Sequence, residues 1–233
     1  MVTRHCVPMA SPAVLIDLDG TLVDTAPDLL GALNAVLTSE RRSTVDPQTL
    51  RHMVGHGARA LIERAMSATG EPVAAEQLPG LVDRFIAYYR EHIADGSQPF
   101  PEVDETLSRL RESGARLAVL TNKPQVLTEP ILAALGLARH FDVICGSGRY
   151  AFNKPDGRIV AHVVQELGGM EGGAIMIGDS AVDVATARAA AIPVALLSYG
   201  YTPEPVHNLG ADAIVDCFSE VPAVLRKLLR SDT

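Results

Sequence analysis

The sequence has no tryptophan, and aromatic residues make up only 4% of its 233 positions. A core without large rings must be filled by Ala, Leu, Val and Ile, which suits helices laid on an apolar sheet. Lysine is scarce as well: seventeen of the twenty basic residues are Arg, leaving only Lys123, Lys154 and Lys227. Such scarcity makes the position of each lysine informative. Positive charge is not in surplus either. A net charge of −8 offers no basic face to a polyanion and argues against non-specific nucleic-acid binding. The three cysteines, Cys6, Cys145 and Cys217, are odd in number, far apart and in no metal-ligand spacing. They read as single thiols of a reducing compartment. No apolar run approaches a membrane span, and the first twelve residues contain no stretch long enough for a signal peptide. The expected setting is therefore the cytoplasm, without a membrane partner.

What is present centres on Asp17-Leu18-Asp19-Gly20-Thr21. Ahead of it, Ala13-Val14-Leu15-Ile16 is an unbroken apolar run of the kind a doubly covered central strand shows. Alternate strand residues point the same way, so Asp17 and Asp19 can face one small volume at the strand's carboxyl end. Open parallel sheets carry their ligands at that end. Ordinary turn chemistry, a strand-capping Asp followed by an Asx-turn Asp, explains the pair equally well when it is taken alone.

Beyond the motif the pattern turns helical. Thr25-Ala26-Pro27-Asp28 resembles a capping box with an early proline, followed by Leu29, Leu33, Val36 and Leu37 at helical spacing. Asp46-Pro47 begins a second helix, Gly55-His56-Gly57 interrupts it, and helical spacing resumes over 58–68 and again over about 74–93. Nothing between Thr25 and Asp95 predicts a strand. This insert of roughly seventy residues is long enough to form a small domain. After the turn-rich joint at 95–101, short apolar runs at Leu117–Leu120, Val143–Cys145, Ile175–Ile177 and Val194–Leu197 alternate with helical patterns. Ile214-Val215 adds a candidate edge strand and 221–229 a closing helix. The rhythm predicts an α/β fold, a doubly wound parallel sheet with helices on both faces.

Polar residues gather where these strands end. Thr121-Asn122-Lys123-Pro124 closes the run at Leu117, Asn153-Lys154-Pro155 follows the run at Val143, and Gly178-Asp179-Ser180 closes the run at Ile175, with Asp183 one helical turn on. Singly, the Thr and the Asp are good helix caps and the Lys a solvated charge. Jointly they bring carboxylates, a hydroxyl and a lysine to one sheet edge. Clustered Asp oxygens suit Mg²⁺, and Thr, Asn and Lys suit a phosphate dianion, so the constellation points to metal-assisted phosphoryl transfer.

In four elements, Asp17-Leu-Asp19-Gly-Thr-Leu, Thr121-Asn-Lys-Pro, Lys154-Pro and Gly178-Asp179-Ser-Ala-Val-Asp183, the sequence resembles the haloacid dehalogenase superfamily of phosphohydrolases. The likeness runs from about Ala13 to Leu229. Val54-Gly-His56-Gly57-Ala and Ser198-Tyr-Gly-Tyr201 are similar to stretches of its phosphoglycolate phosphatase group. The resemblance implies a Rossmann-like core formed by residues 1–22 and 97–233, with 23–96 inserted as a helical class I cap. It implies Asp17 as the nucleophile that forms an aspartyl phosphate and Asp19 as the acid and base. Thr121, Asn122, Lys154 and Gly20 would bind the phosphoryl group. Asp17, Asp19 and Asp179 would hold Mg²⁺, with Asp183 behind them, and His56 and Arg59 of the insert would read the substrate. The implied substrate is a small phosphorylated metabolite, 2-phosphoglycolate first, for a monomer or homodimer. Another small sugar or amino-sugar phosphate is the next choice, followed by pyrophosphatase or phosphomutase activity.

Rival readings separate by sequence. A haloacid dehalogenase has no need of Asp19 as a proton donor, and a Schiff-base phosphonate hydrolase needs a lysine that is missing between Asp17 and Lys123. A phospho-accepting signalling module would lack the insert. Two positions depart from the family's habit: Gly157 stands where Lys-Pro-x-Pro would place its second proline, and Ala191 stands where a glycine is usual.

Overall fold

Strand β1 (Ala13–Ile16) is buried on both faces at the centre of a six-stranded parallel sheet. It forms where its apolar run predicts, because four consecutive β-compatible side chains can alternate between two cores. The computed structural model describes residues 11–169 and 171–229; Cys6 lies outside them.

In chain order, β1 is followed by a two-residue strand β2 (Val23–Asp24) and four helices, α1 (Ala26–Ser39), α2 (Pro47–Arg51), α3 (Gly57–Ala68) and α4 (Leu78–Glu91). The chain returns through β3 (Gln98–Pro99), which pairs antiparallel with β2. It then alternates α5 (Val103–Glu112), β4 (Arg116–Pro124), α6 (Gln125–Ala134), β5 (Val143–Ser147), α7 (Arg158–Glu166), β6 (Ala174–Gly178), α8 (Ala181–Ala189), β7 (Val194–Leu197), β8 (Ala213–Val215) and α9 (Val221–Leu228). The sheet order is β5-β4-β1-β6-β7-β8. The strand order reverses at β1, and the crevice outside the carboxyl ends of β1 and β6 is the switch point where such sheets bind ligands.

Period-two alternation divides the core. Val14, Ile16, Val119, Ile177 and Leu197 face one layer, with Leu107 of α5, Ile131 of α6 and Leu225 of α9. Ala13, Leu15, Leu120, Met176 and Leu196 face the other, with Val163 of α7 and Ala187 of α8. This is the doubly wound α/β sheet that the alternation predicts. A third cluster, with Leu33, Leu37, Ile62, Phe85 and Tyr89 fully or almost fully buried, belongs to α1, α3 and α4 and takes in Leu127 and Tyr201 from the sheet side.

The structure corrects the sequence reading at two helix starts, those of α1 and α4. Thr25 is the N-cap of α1 but makes no side-chain cap bond. Its hydroxyl donates to Asp19 Oδ1 at 2.7 Å instead. Asp28 does not complete a capping box; its carboxylate accepts from the backbone N–H groups of Gly96 and Ser97, both at 2.8 Å. Both residues are claimed by the crossing where the chain enters and leaves the helical insert. Helix α4 starts at Leu78 rather than near 74, with a proline in its first turn, where a missing N–H is tolerated. Asp179 is not the cap of α8. That role falls to Ser180, in a capping box with Asp183. Asp46 does cap α2, accepting from Gln48 and Thr49 N–H groups.

Candidate active site

Asp17 follows β1 directly, its N–H held by the carbonyl of Ile177 on the neighbouring strand. Its Oδ1 lies 2.9 Å from Lys154 Nζ, and the same ammonium donates to Asp183 Oδ1 at 2.7 Å. Asp183 spends its other oxygen on the start of α8, accepting from the backbone N–H groups of Asp179 and Ser180 and from the Ser180 hydroxyl. Asp179 accepts from the Thr21 hydroxyl at 3.1 Å and from the Tyr201 N–H at 2.6 Å. Gly20 sits at φ +82°, and a Cβ there would overlap the Asp179 carboxylate. Only glycine allows both the turn and that approach.

Oxygens of Asp17, Asp179 and Asp183 all lie within 4.8 Å of one another, and all three residues are buried. Three carboxylates thus face one ammonium, that of Lys154. Burial pushes Asp17 up to about 6 against the pull of Lys154, with Asp183 and Asp19 adding to the rise. Burial likewise raises Asp179 well above its ordinary value, helped by Asp183 and Asp17. Burial works against the charge of Lys154, yet Asp17 and Asp183 outweigh it and hold its pKa above the usual lysine value. An oxygen-only, net-negative buried cluster fits a hard divalent cation, which would offset the excess charge.

A cavity opens beside this cluster, with about 30 Å³ open to the centre of a water molecule. Leu29, Leu61 and Phe85 wall it from the helical side, and Asp17, Asp19 and Thr121 stand on the sheet side. Asn122 also reaches it, but both side-chain N–H groups are committed at 3.1 Å, one to the carbonyl of Gly55 and one to that of Lys154. Its buried Oδ1 has no partner among the described residues. The Gly55-His56-Gly57 turn therefore rests on the end of β4, and a Cβ at Gly57 (φ +86°) would lie 3.1 Å from the Asn122 carbonyl.

A family model described as haloacid dehalogenase-like hydrolase matches residues 14–197. The chain belongs to that family. Within it, a phosphoglycolate phosphatase of Caulobacter vibrioides is 49% identical over 218 residues, covering 94% of this chain and 92% of that protein. One from Agrobacterium fabrum is 40% identical, covering 94% of each. The crystal structure of a predicted phosphoglycolate phosphatase from Haemophilus somnus superposes with a TM-score of 0.85 at 29% identity, over 91% of this chain and 96% of that one. The parallel sheet of this hydrolase family is thus the fold that the motifs indicate.

The structure brings together Asp17, Asp19, Gly20, Thr121, Asn122, Lys154, Asp179 and Asp183. It does not bring Arg59 or His56 to the cavity. Arg59 is exposed and its Nε pairs with Glu63 Oε1 at 3.2 Å, because Ala58 and Leu61 take the cavity-facing positions of α3. His56, the N-cap of α3, is also exposed, with its imidazole pKa lowered by partial burial and by Arg64.

Three contributors, Lys123, Tyr89 and Tyr201, have no role in the sequence reading. Lys123 Nζ donates to Asp19 Oδ1 at 3.0 Å and to the Tyr89 hydroxyl at 2.8 Å. Tyr201 donates its hydroxyl to Asp24 and accepts from the Ala26 N–H, while its own backbone N–H holds Asp179. The scarcity of lysine is the signal that points to Lys123, and the Ser198-Tyr-Gly-Tyr201 stretch marks Tyr201 without giving its role; no local pattern marks Tyr89.

Proposed function

We propose that this hydrolase is a Mg²⁺-dependent phosphomonoesterase working through an aspartyl phosphate on Asp17, with 2-phosphoglycolate as its substrate. The observation that carries the reading is the buried cluster of Asp17, Asp179 and Asp183 around Lys154, beside a small cavity closed by helices. Residues 23–96 serve as the cap, and the paired β2 and β3 are its two crossings. Asp17 attacks phosphorus and displaces the alkoxide, to which Asp19, lining the same cavity, gives a proton. Asp19 then takes a proton from the water that attacks the aspartyl phosphate, releasing phosphate and freeing Asp17. Thr121 and Lys154 steady the phosphoryl oxygens. Asp17, Asp179 and the carbonyl of Asp19 would hold the metal, which would offset negative charge on the phosphoryl group and the carboxylates. The small cavity favours a compact leaving group, and relatives named phosphoglycolate phosphatase support glycolate as that group. A cytoplasmic setting accords with Cys145 and Cys217 being free thiols.

Turnover of 2-phosphoglycolate, sugar phosphates and p-nitrophenyl phosphate after EDTA treatment, with and without added Mg²⁺, tests the proposal. Activity should vanish on chelation and return with Mg²⁺. Undiminished turnover without metal would refute the metal assignment. A preference for a sugar phosphate by more than about tenfold in kcat/KM, or roughly 1.4 kcal/mol of transition-state binding, would move the substrate assignment.

A further inference from the structure

Among the described residues lining the active-site cavity, Lys123 is the single cation. Its side chain is 2% exposed, and its ammonium sits 4.2 Å from the centroid of the Tyr89 ring. An ammonium has three donors. One goes to Asp19 Oδ1 and one to the Tyr89 hydroxyl; no acceptor among the described residues takes the third. The surroundings, Leu29, Phe85 and Leu127 among them, are apolar, so a charge-assisted bond there is worth more than at the surface.

Position matters as much as charge. The leaving oxygen must approach Asp19 to receive its proton, and Lys123 Nζ lies 3.0 Å from that carboxylate. In a phosphoester of a 2-hydroxy acid, one carbon separates the ester oxygen from the carboxylate. An ester oxygen within hydrogen-bond reach of Asp19 therefore leaves the carboxylate within reach of the free donor. We propose that Lys123, presented by Tyr89 of α4, is the specificity-determining residue that takes the carboxylate of a 2-phospho-carboxylic acid. This role rests on the phosphatase reading above and supplies the carboxylate reader that Arg59, turned away to Glu63, does not. Because Tyr89 comes from the insert and Lys123 from the sheet, the anion is read only when the two halves meet.

The test compares 2-phosphoglycolate with ethyl phosphate, of similar size but without the carboxylate, in the Mg²⁺-loaded full chain. Wild type should prefer 2-phosphoglycolate, and Lys123→Met should lose about 10- to 100-fold of that preference in kcat/KM, chiefly through KM. Tyr89→Phe keeps the lysine and should lose several-fold in the same direction, which covers the case that Lys123→Met does not fold. Preference intact in Tyr89→Phe and in any folded Lys123→Met would overturn the assignment while leaving the substrate reading standing. Wild type that hydrolyses both esters equally well would overturn the substrate reading and Lys123's role with it. No phosphatase activity on any ester would instead strike the phosphatase reading itself.

Discussion

At the scale of single residues, the proposed mechanism turns on which carboxylate attacks and which donates a proton. Asp17 is held by Lys154, and Asp19 by Thr25 and Lys123. These separate clasps predict separable variants. Asp17→Asn should abolish the phosphoenzyme, since an amide is no nucleophile. Asp19→Asn should still form it with a good leaving group such as p-nitrophenolate, but break it down slowly. Mass spectrometry of rapidly quenched protein should find the phosphate on Asp17; phosphate elsewhere, or full activity in Asp17→Asn, contradicts the assignment. Arg59→Ala should change KM for 2-phosphoglycolate less than about twofold, because an exposed pair with Glu63 is worth only about 0.3–0.5 kcal/mol. A large selective rise in KM would place Arg59 back in the pocket. The residues whose convergence was legible in advance are those whose type and spacing suggest a shared chemistry, Asp17, Asp19, Lys154 and Asp179. Arg59 shows the limit: the helix and its amphipathic character are readable, but one step of about 100° around α3 decides between cavity and solvent.

At the scale of elements, both departures from the family's sequence habit meet at one place. A Cβ at Gly157, before α7, would lie 2.5 Å from the Ala189 carbonyl oxygen and 2.9 Å from the Ala190 nitrogen. The end of α8 therefore occupies the space that a side chain at 157 would need. Two residues on, Ala191 sits at φ +53°, just past the C-cap of α8 at Ala190. That left-handed conformation costs an L-residue about 1–2 kcal/mol, and glycine adopts it freely. Ala191→Gly should therefore raise stability by about 1 kcal/mol after its own loss of unfolded-state restriction, seen as a higher denaturant midpoint with unchanged slope. Gly157→Ala should lower it by about 1–3 kcal/mol through overpacking. An unchanged midpoint in Ala191→Gly contradicts the strain. Strands and helices were legible here because hydrophobic period is local. The start of α1 falls where the sequence places it, but the capping bonds differ because Thr25 and Asp28 serve partners 6 and 68 residues away, which no local pattern encodes.

At the scale of the whole molecule, the fold brings Asp17 together with Asp179 and Asp183, from two distant parts of the chain, in one buried volume, and the expected energetic consequence is a dependence on metal and pH. Burial, joined by neighbouring carboxylates, raises Asp17 to about 6 and Asp179 well above its ordinary value. In the unfolded chain both ionise near 4. Between those limits the metal-free folded state binds more protons than the unfolded state, so its stability falls as pH rises from about 4 through 6. A salt-bridged carboxylate with a lowered pKa would give the opposite slope. A divalent cation competes with these protons and favours the ionised carboxylates, so its stabilising effect must grow over the same window. Melting of the EDTA-treated protein should therefore occur at lower temperature at pH 8 than at pH 5.5. Saturating Mg²⁺ should raise the midpoint by roughly 5 °C or more at pH 8 and by much less at pH 5.5. Asp17→Asn, which removes one of the crowded charges, should flatten the slope of the metal-free protein even where it abolishes turnover. A metal shift of equal size at both pH values would mean that the carboxylate cluster is not where the cation binds, and a metal-free midpoint that climbs with pH would contradict the raised carboxylates.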